Sequence, residues 1–459
     1  MYTINFTNPI HIHFIGIGGI SMSGLAEILH KEGFTISGSD NHSSPLIDKM
    51  KSNGIAIEIG QKATNITKNI DLVVYTAAIH EDNEEYQAAK AHNIPMLSRA
   101  ELLGQLMKNY SIPIAVSGTH GKTTTTSMLS HILLEGNLDP TISVGGILKS
   151  IGGNIRVGGQ KYFLTEACEY TNSFLHFFPS ISIILNIDED HLDFFKDLDD
   201  IYHSFIEFTK LLPENGFLIM NGSIDRLEEF QAIAGNRLIT YGLHKAFDYH
   251  AASITYNPSG CPSFDVYKGQ NLMGTITLSV TGEHNIQNAL ATIATADKLL
   301  VPFDVIQRGL LSFTGTNRRF EKKGIKNGVT IIDDYAHHPT EIRATLKAAY
   351  AYPHSEIWCV FQPHTYTRTK ALFHEFADSL SLADHVILTD IFAARETDTL
   401  GVSSSLLADE IKAKGTDAYY LSDFNEIADF CLAHCNEHDL LITMGAGNVV
   451  TIGESILEE

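Results

Sequence analysis

The sequence predicts an α/β protein. Short β-rich apolar runs alternate with helical patterns along almost the whole chain, the sequence form of parallel sheets with crossover helices. Two glycine-rich turns each lie between a strand pattern and a helix pattern, a placement that suits phosphate groups. No stretch approaches the roughly 20 apolar residues that a membrane helix requires, which predicts no membrane insertion.

In the first block, His11 to Ile17, Phe34 to Ser37 and Asp71 to Ala77 read as strands, with a helix from about Ser21 to Glu32. This is a βαβ beginning. Its turn holds Gly16, Gly18, Gly19, Ser21, Met22, Ser23 and Gly24, and Asp40 ends the next strand. That resembles a dinucleotide fingerprint, but the third glycine is displaced from position 21 to Gly24. A nucleotide diphosphate is therefore indicated more safely than NAD, and a purely structural glycine turn stays open.

After a helical segment at Glu101 to Ser111, a fresh strand, Ile112 to Val116, opens a second block, placing a boundary near residue 110. Gly118, Thr119, His120, Gly121, Lys122 and Thr123 form a compact phosphate-binding loop ahead of the helix Thr124 to Glu135. Small residues let backbone N–H groups wrap a polyphosphate, Lys122 reaches the outer phosphates, and the Thr123 hydroxyl suits Mg²⁺. Glu166 and His191 each follow a strand, Phe163 to Thr165 and Ile181 to Ile187, and could complete a metal site. An irregular, turn-rich region is read from Asn221 to Gly282, closed by the helix His284 to Leu300.

The third block follows Arg319, with strands at Thr330 to Asp333, Glu356 to Phe361, His385 to Thr389 and Leu440 to Met444. His337 and His338 sit after the first of these; adjacent histidines point in different directions, so a polar cluster is favoured over zinc. At 459 residues there is room for several separate cores.

Hydrophobic residues make up 44% of the chain, which is ordinary for a folded protein. The net charge of −22 argues against nucleic-acid or anionic-membrane binding, since both require a dense cationic surface. Phosphate ligands must then be held by a few local groups. The first nine residues lack a basic patch followed by an apolar core, and Cys168, Cys261, Cys359, Cys431 and Cys435 lack metal-ligand spacing. Both features suggest a cytoplasmic protein with reduced thiols.

Taken in order, I-G-I-G-G-I-S-M-S-G, G-T-H-G-K-T-T-T, T-E-A-C-E-Y, D-E-D-H-L-D, H-N-I-Q-N-A, G-T-N-R-R-F-E, D-D-Y-A-H-H-P-T-E, F-Q-P-H-T-Y-T-R-T and G-A-G-N resemble the Mur ligase family over essentially the whole chain. The resemblance implies three domains: residues 1–110, Rossmann-like, for UDP-N-acetylmuramate; 111–319, a P-loop-type ATPase; and 320–459, Rossmann-like, for the amino acid. Within the family, the M-S-G loop paired with D-D-Y-A-H-H-P-T-E is similar to the member that adds L-alanine. The implied reaction is ATP-dependent joining of L-alanine to the muramate carboxylate through an acyl phosphate.

By residue match, the resemblance gives Lys122 the transferring phosphoryl group, Thr123 and Glu166 one Mg²⁺ (Mn²⁺ as an alternative), and His191 a second. It places Thr124 with the phosphate loop, Asn285 and Asn288 near the ATP base and ribose, Arg319 at the phosphates and Asp334 at the nucleotide. His364 and Arg368 match a segment facing alanine and its carboxylate. Many relatives carry arginine where this chain has Thr365, so one cationic contact is missing. The expected assembly is a monomer or homodimer. Rival readings are a recycling ligase that attaches a peptide to the same acceptor, a nicotinamide oxidoreductase built on the first loop, and a silent nucleotide-binding regulator; the second leaves the Gly118 to Thr123 loop without a purpose.

Overall fold

The computed structural model describes residues 2–76, 78–394, 396–397 and 399–458. Three sheets follow one another along the chain. The first has strands β1 (His11–Ile15), β2 (Thr35–Asp40), β3 (Ala56–Ile59), β4 (Leu72–Tyr75) and β5 (Met96–Ser98) in the order β3-β2-β1-β4-β5, all parallel. Strand order reverses between β1 and β4, so the loop after β1 opens at a switch point, where ligands of open α/β sheets collect.

The second sheet holds β6 (Ile112–Ser117), β7 (Thr141–Leu148), β8 (Gly153–Arg156), β9 (Tyr162–Glu166), β10 (Ile181–Ile184), β11 (Phe217–Asn221), β12 (Leu238–Gly242), β13 (Tyr249–Tyr256), β14 (Pro262–Lys268) and β15 (Asn271–Thr277). Its order is β15-β14-β13-β12-β11-β10-β6-β9-β7-β8. β6 pairs in parallel with β9 on one side and β10 on the other, which makes the loop after β6 a second switch point. The third sheet comprises β16 (Glu321–Lys326), β17 (Val329–Asp334), β18 (Ile357–Phe361), β19 (His385–Leu388), β20 (Asp417–Tyr420) and β21 (Leu440–Met444), in the order β16-β17-β21-β18-β19-β20. Only β16 in this sheet runs antiparallel to its neighbour.

The central strands are apolar on both faces because helices cover both. Ile114, Val116, Ile183, Val360 and Ile442 are fully buried. One apolar cluster runs from Ile12 and Phe14 of the first sheet to Phe163, Phe174 and Phe205 of the second block. At about 1.5–3 kcal/mol per buried large side chain, that shared cluster ties the two blocks together.

The structure corrects several expectations. The region from Asn221 to Gly282 is regular: after β11 it carries the helix Leu227–Ala234, then β12 to β15. Register shifts between Ala252 and Thr255 and between Val266 and Tyr267 break the period of two, and the Asn257–Gly260 and Gly269 turns separate short strands, so the pattern resembled loops. β1 ends at Ile15 rather than Ile17 because Gly16 turns the chain at φ 81°. β10 ends at Ile184 rather than Ile187, β2 spans Thr35–Asp40 and so ends at the expected Asp40 rather than at Ser37, and the strand expected to reach Ala77 ends at Tyr75, with Ala77 itself outside the described residues.

Candidate active site

The second glycine loop is held in place by the protein around it. β6 delivers Gly118 (φ 135°) and Gly121 (φ 84°), conformations open to glycine, and Gly121 ends the loop at the helix Lys122–Glu135. After Lys122 that helix runs through four threonines, poor helix formers, and forms because tertiary burial overrides propensity: Thr125, Thr126, Met128 and Leu129 are fully buried. Asn186, just past β10, clamps the loop from beside it. Its side chain accepts from His120 N at 2.7 Å and donates to His120 O at 3.1 Å, while its carbonyl accepts from Thr119 N at 3.2 Å.

Lys122 curls back over the loop. Its Nζ donates to Gly118 O at 2.5 Å, to Thr119 O at 3.1 Å, and to both oxygens of Glu169 at 3.0 and 3.2 Å. Burial opposes its charge, but Glu169, together with Cys168 and Glu166, outweighs burial and holds the ammonium above the ordinary lysine range. Lys122 is thus a fixed cation at the helix N-terminus, where polyphosphates bind.

Glu166, at the end of β9, accepts from Thr123 Oγ1 at 3.1 Å and from Gly145 N. Burial raises its pKa, so a cation beside it would relieve an existing cost. Among the described residues no three His, Cys, Asp or Glu side chains are grouped to hold an ion. The Thr123 hydroxyl and Glu166 carboxylate are hard oxygen donors, which suit a cation that takes most of its ligands from phosphate oxygens and water. His191 stacks on Tyr170 with ring centroids 4.5 Å apart, and its Nε2 lies 3.9 Å from Glu169 and 3.8 Å from Asp190. Glu169 therefore stands between His191 and Lys122.

Beside the loop opens a cavity of about 560 Å³, lined by His120, Gly121, Thr124, Asn285, Asn288, Arg319 and Asp334 together with Tyr241, Thr281 and Phe313. Asn285 donates to Thr281 O at 2.7 Å and accepts from Asn288 at 3.1 Å. Gly121 leaves room for this pair, because a Cβ there would lie 2.8 Å from Asn288 Oδ1.

Adjacent arginines divide the work at the junction with the third sheet. Arg318 is tied to Asp333 Oδ2 at 3.0 Å and to the carbonyls of Gly445 and Gly447. Arg319 lies over the Tyr335 ring at 5.2 Å, lines the cavity, and forms no ion pair among the described residues. Asp334 is pushed up to about 6 by burial, and its two oxygens accept from Phe320 N and Ala336 N. Its carboxylate thus holds the linker to the third sheet as well as lining the cavity.

The third block closes over the loop through the helix Pro339–Tyr350. Glu341 Oε1 meets His120 Nδ1 at 3.1 Å, and Asp188 Oδ2 lies 3.2 Å from His120 Nε2. Burial alone would lower His120, yet Asp188 and Glu341 raise it to about 9. His338 caps that helix through Nδ1 and reaches Glu189 O with Nε2 at 3.0 Å, while His337 Nδ1 turns to Tyr335 O at 2.9 Å. The two histidines point apart.

His364 and Arg368 also reach the second block. Arg368 Nε donates to Asp190 Oδ1 at 3.0 Å, and Nη1 donates to His364 Nδ1 at 3.1 Å. Burial would raise Asp190, but Arg368 and neighbouring histidines hold it well below the carboxylate range. Thr365 Oγ1 accepts from Arg368 N at 3.4 Å, capping the short helix Tyr366–Ala371.

The first loop is more open. Gly18 N donates to Asp40 Oδ2 at 2.9 Å, and Gly19 leads into the helix Ile20–Lys31. Two expected ligand side chains turn inward: Met22 is in the core, and Ser23 Oγ donates back to Ile20 O at 2.9 Å. Helix periodicity puts both on the buried face. Ser21 faces outward and accepts from Arg99 Nη1 at 3.1 Å. Gly24 packs against Ile155 of β8, so the displaced glycine serves contact between blocks.

Sequence reasoning passed over Glu169, Asn186, Asp190, Glu341 and Arg99. Glu169, Asp190 and Glu341 stood inside quoted motifs, and Arg99 follows Ser98 of a legible capping box with Glu101; their partners lie too far along the chain for spacing to reveal.

A rigid phosphate loop beside a nucleotide-sized cavity, with a third α/β block bearing on it, defines a nucleotide-dependent group-transfer protein. The chain belongs to the Mur ligase family: residues 11–111 match the Mur ligase family catalytic domain, 116–296 the Mur ligase middle domain, and 318–447 the Mur ligase glutamate ligase domain. It is 58% identical to a UDP-N-acetylmuramate–L-alanine ligase of Lachnospira eligens and 56% identical to one of Lachnoclostridium phytofermentans, with all of each chain covered. Its fold is similar to that of the UDP-N-acetylmuramate–alanine ligase of Thermotoga maritima, with a TM-score of 0.80, 28% identity and 98% of each chain covered. A murein peptide ligase of Psychrobacter arcticus gives 0.69 at 27% identity, again with 98% of each chain covered.

Proposed function

We propose that this protein joins L-alanine to the carboxylate of UDP-N-acetylmuramate at the expense of ATP, giving UDP-N-acetylmuramoyl-L-alanine, ADP and phosphate for peptidoglycan synthesis. The observation that carries the reading is the glycine loop of residues 118–123, with Lys122 at the start of its helix, beside a cavity lined by Asn285, Asn288 and Arg319. Full-length identity of 58% to an alanine-adding enzyme favours alanine over the peptide substrate of the recycling ligase.

In this reading residues 1–110 hold UDP-N-acetylmuramate, with the N-terminus of the helix Ile20–Lys31, Gly18, Gly19, Ser21 and Asp40 toward the diphosphate. Residues 111–319 hold ATP, and 320–459 bring the amino acid. Lys122 and Arg319 neutralise the γ-phosphoryl group as it passes to the muramate carboxylate. The alanine amine attacks the acyl phosphate and phosphate leaves. Thr123 and Glu166 would hold Mg²⁺ or Mn²⁺, which supplies charge neutralisation on the phosphates, and His191 borders that site. The third block excludes water from the acyl phosphate. The work is positioning and electrostatics rather than acid–base chemistry by one residue. Among the described residues no helix is long and apolar enough to cross a membrane, which accords with nucleotide substrates in the cytoplasm. Assembly as a monomer or homodimer is part of the same reading.

The test is phosphate release from ATP with Mg²⁺ and UDP-N-acetylmuramate, with and without L-alanine, and product identification by mass. Release requiring both substrates, with the alanine adduct, supports the reading. Activity with a tripeptide and none with alanine would make it the recycling ligase. No release with any acceptor would make it a regulator.

A further inference from the structure

Asp190, on the loop after β10, and Arg368, in the helix Tyr366–Ala371, meet across the junction of the second and third blocks. Arg368 Nε and Nη2 lie 3.0 and 2.9 Å from Asp190 Oδ1, and the two side chains are 11% and 7% exposed. Oδ1 also accepts from His191 N at 2.7 Å. Oδ2 takes no hydrogen bond among the described residues and lies 3.8 Å from His191 Nε2. A cavity of about 20 Å³ opens on the pair, bordered by His191, Thr365 and Thr367.

A nearly buried ion pair gains little net stability, because desolvation offsets most of its attraction. Its worth here lies in what can replace it. The family resemblance already puts Arg368 at the α-carboxylate; we propose that Asp190 completes this amino-acid cradle by taking the α-ammonium, the two side chains otherwise serving as each other's counter-ion. The inference rests on the ligase reading above and states how its amino acid is held.

A zwitterion brings one charge of each sign, so its entry leaves every buried charge paired. Thr365 adds no second cation for a further carboxylate, since its hydroxyl caps the helix. The cavity holds about one water molecule, so the amino acid enters only as the third block moves away from Asp190. Asp190 adjoins His191, which faces Glu169 and through it Lys122, so the nitrogen is presented on the phosphate-loop side.

The experiment compares L-alanine with hydroxylamine, a nucleophile that is uncharged at neutral pH and has no carboxylate, on the full-length enzyme with ATP, Mg²⁺ and UDP-N-acetylmuramate. Asp190→Asn is expected to raise the KM for alanine about tenfold or more, the size of one charge-assisted hydrogen bond. The ratio of hydroxamate to alanine turnover should rise with it, and Asp190→Glu should recover part of the alanine KM. An equal fall with both nucleophiles in both variants would make the pair a structural latch and overturn the proposal. A lower alanine KM in Asp190→Asn would make Asp190 a competitor for Arg368 and overturn it too. If the wild-type enzyme gave neither hydroxamate nor alanine adduct, the ligase reading itself would fail, and the cradle with it.

Discussion

The two glycine loops begin alike and end differently. Each follows a parallel strand at a switch point and runs into a helix. The first keeps its anchoring light: Asp40 holds Gly18, Ser21 accepts from Arg99, and no lysine enters. The second is held on every side, by Asn186, by Asp188 and Glu341 through His120, and by Glu169 through Lys122. A loop that only holds a diphosphate needs a few N–H groups and a helix end, whereas one that steers phosphoryl transfer needs its cation fixed before the substrate arrives.

Lys122→Ala should widen this contrast most. Turnover is expected to fall about a thousandfold, the upper range for removing one group that stabilises transition-state charge. UDP-N-acetylmuramate should still bind in calorimetry with its wild-type affinity; loss of that affinity would mean the two loops are not separate sites.

His120 tests the grip of the third block. Its folded pKa of about 9 lies above the unfolded value of about 6.5, so its contribution is fully present below pH 6.5 and is lost as pH rises through 9. It is on the order of 3 kcal/mol. Chemical unfolding of wild type and His120→Asn should show a stability gap that closes across that window. A gap independent of pH from 6 to 10 would remove the imidazolium from the account.

Glu169→Gln removes the carboxylate facing Lys122 but leaves the lysine its two carbonyls, at a cost of about 2 kcal/mol, below the range for stranding a fully buried charge. Thermal unfolding should report it, and an unchanged midpoint would show that the carbonyls alone hold the cation.

The smallest effect falls on the open loop. A Cβ at Gly18 would lie 2.8 Å from Asp40 Oδ2 and 2.9 Å from Ile47 Cδ1, both ends of side chains that can shift. Gly18→Ala should therefore raise the KM for UDP-N-acetylmuramate about tenfold, roughly 1.4 kcal/mol, with the KM for ATP unchanged. A rise in the ATP value instead would place the first loop at the wrong substrate.

Much of this was legible in the chain itself. Residues 118–123 are contiguous, so the loop, its lysine and its helix could be read without knowing the fold, and Glu166 followed from its place at a strand end. The meander after β11 was not legible, because its bulges erase the alternation that marks a strand. Met22 and Ser23 were read as ligand-facing where helix phase buries them. The proximity of His191 to Glu169 was not legible either, since the two lie on separate loops.

The sequence by itself determined the α/β class, the two glycine loops and the family, because each is written in motifs whose residues lie close together along the chain. Only the tertiary structure decided that Glu341 grips His120 across 221 positions and that Arg368 meets Asp190 across 178. Those pairings carry no periodic signal, since they form where separate blocks meet and the burial of each charge leaves its partner as the available counter-ion.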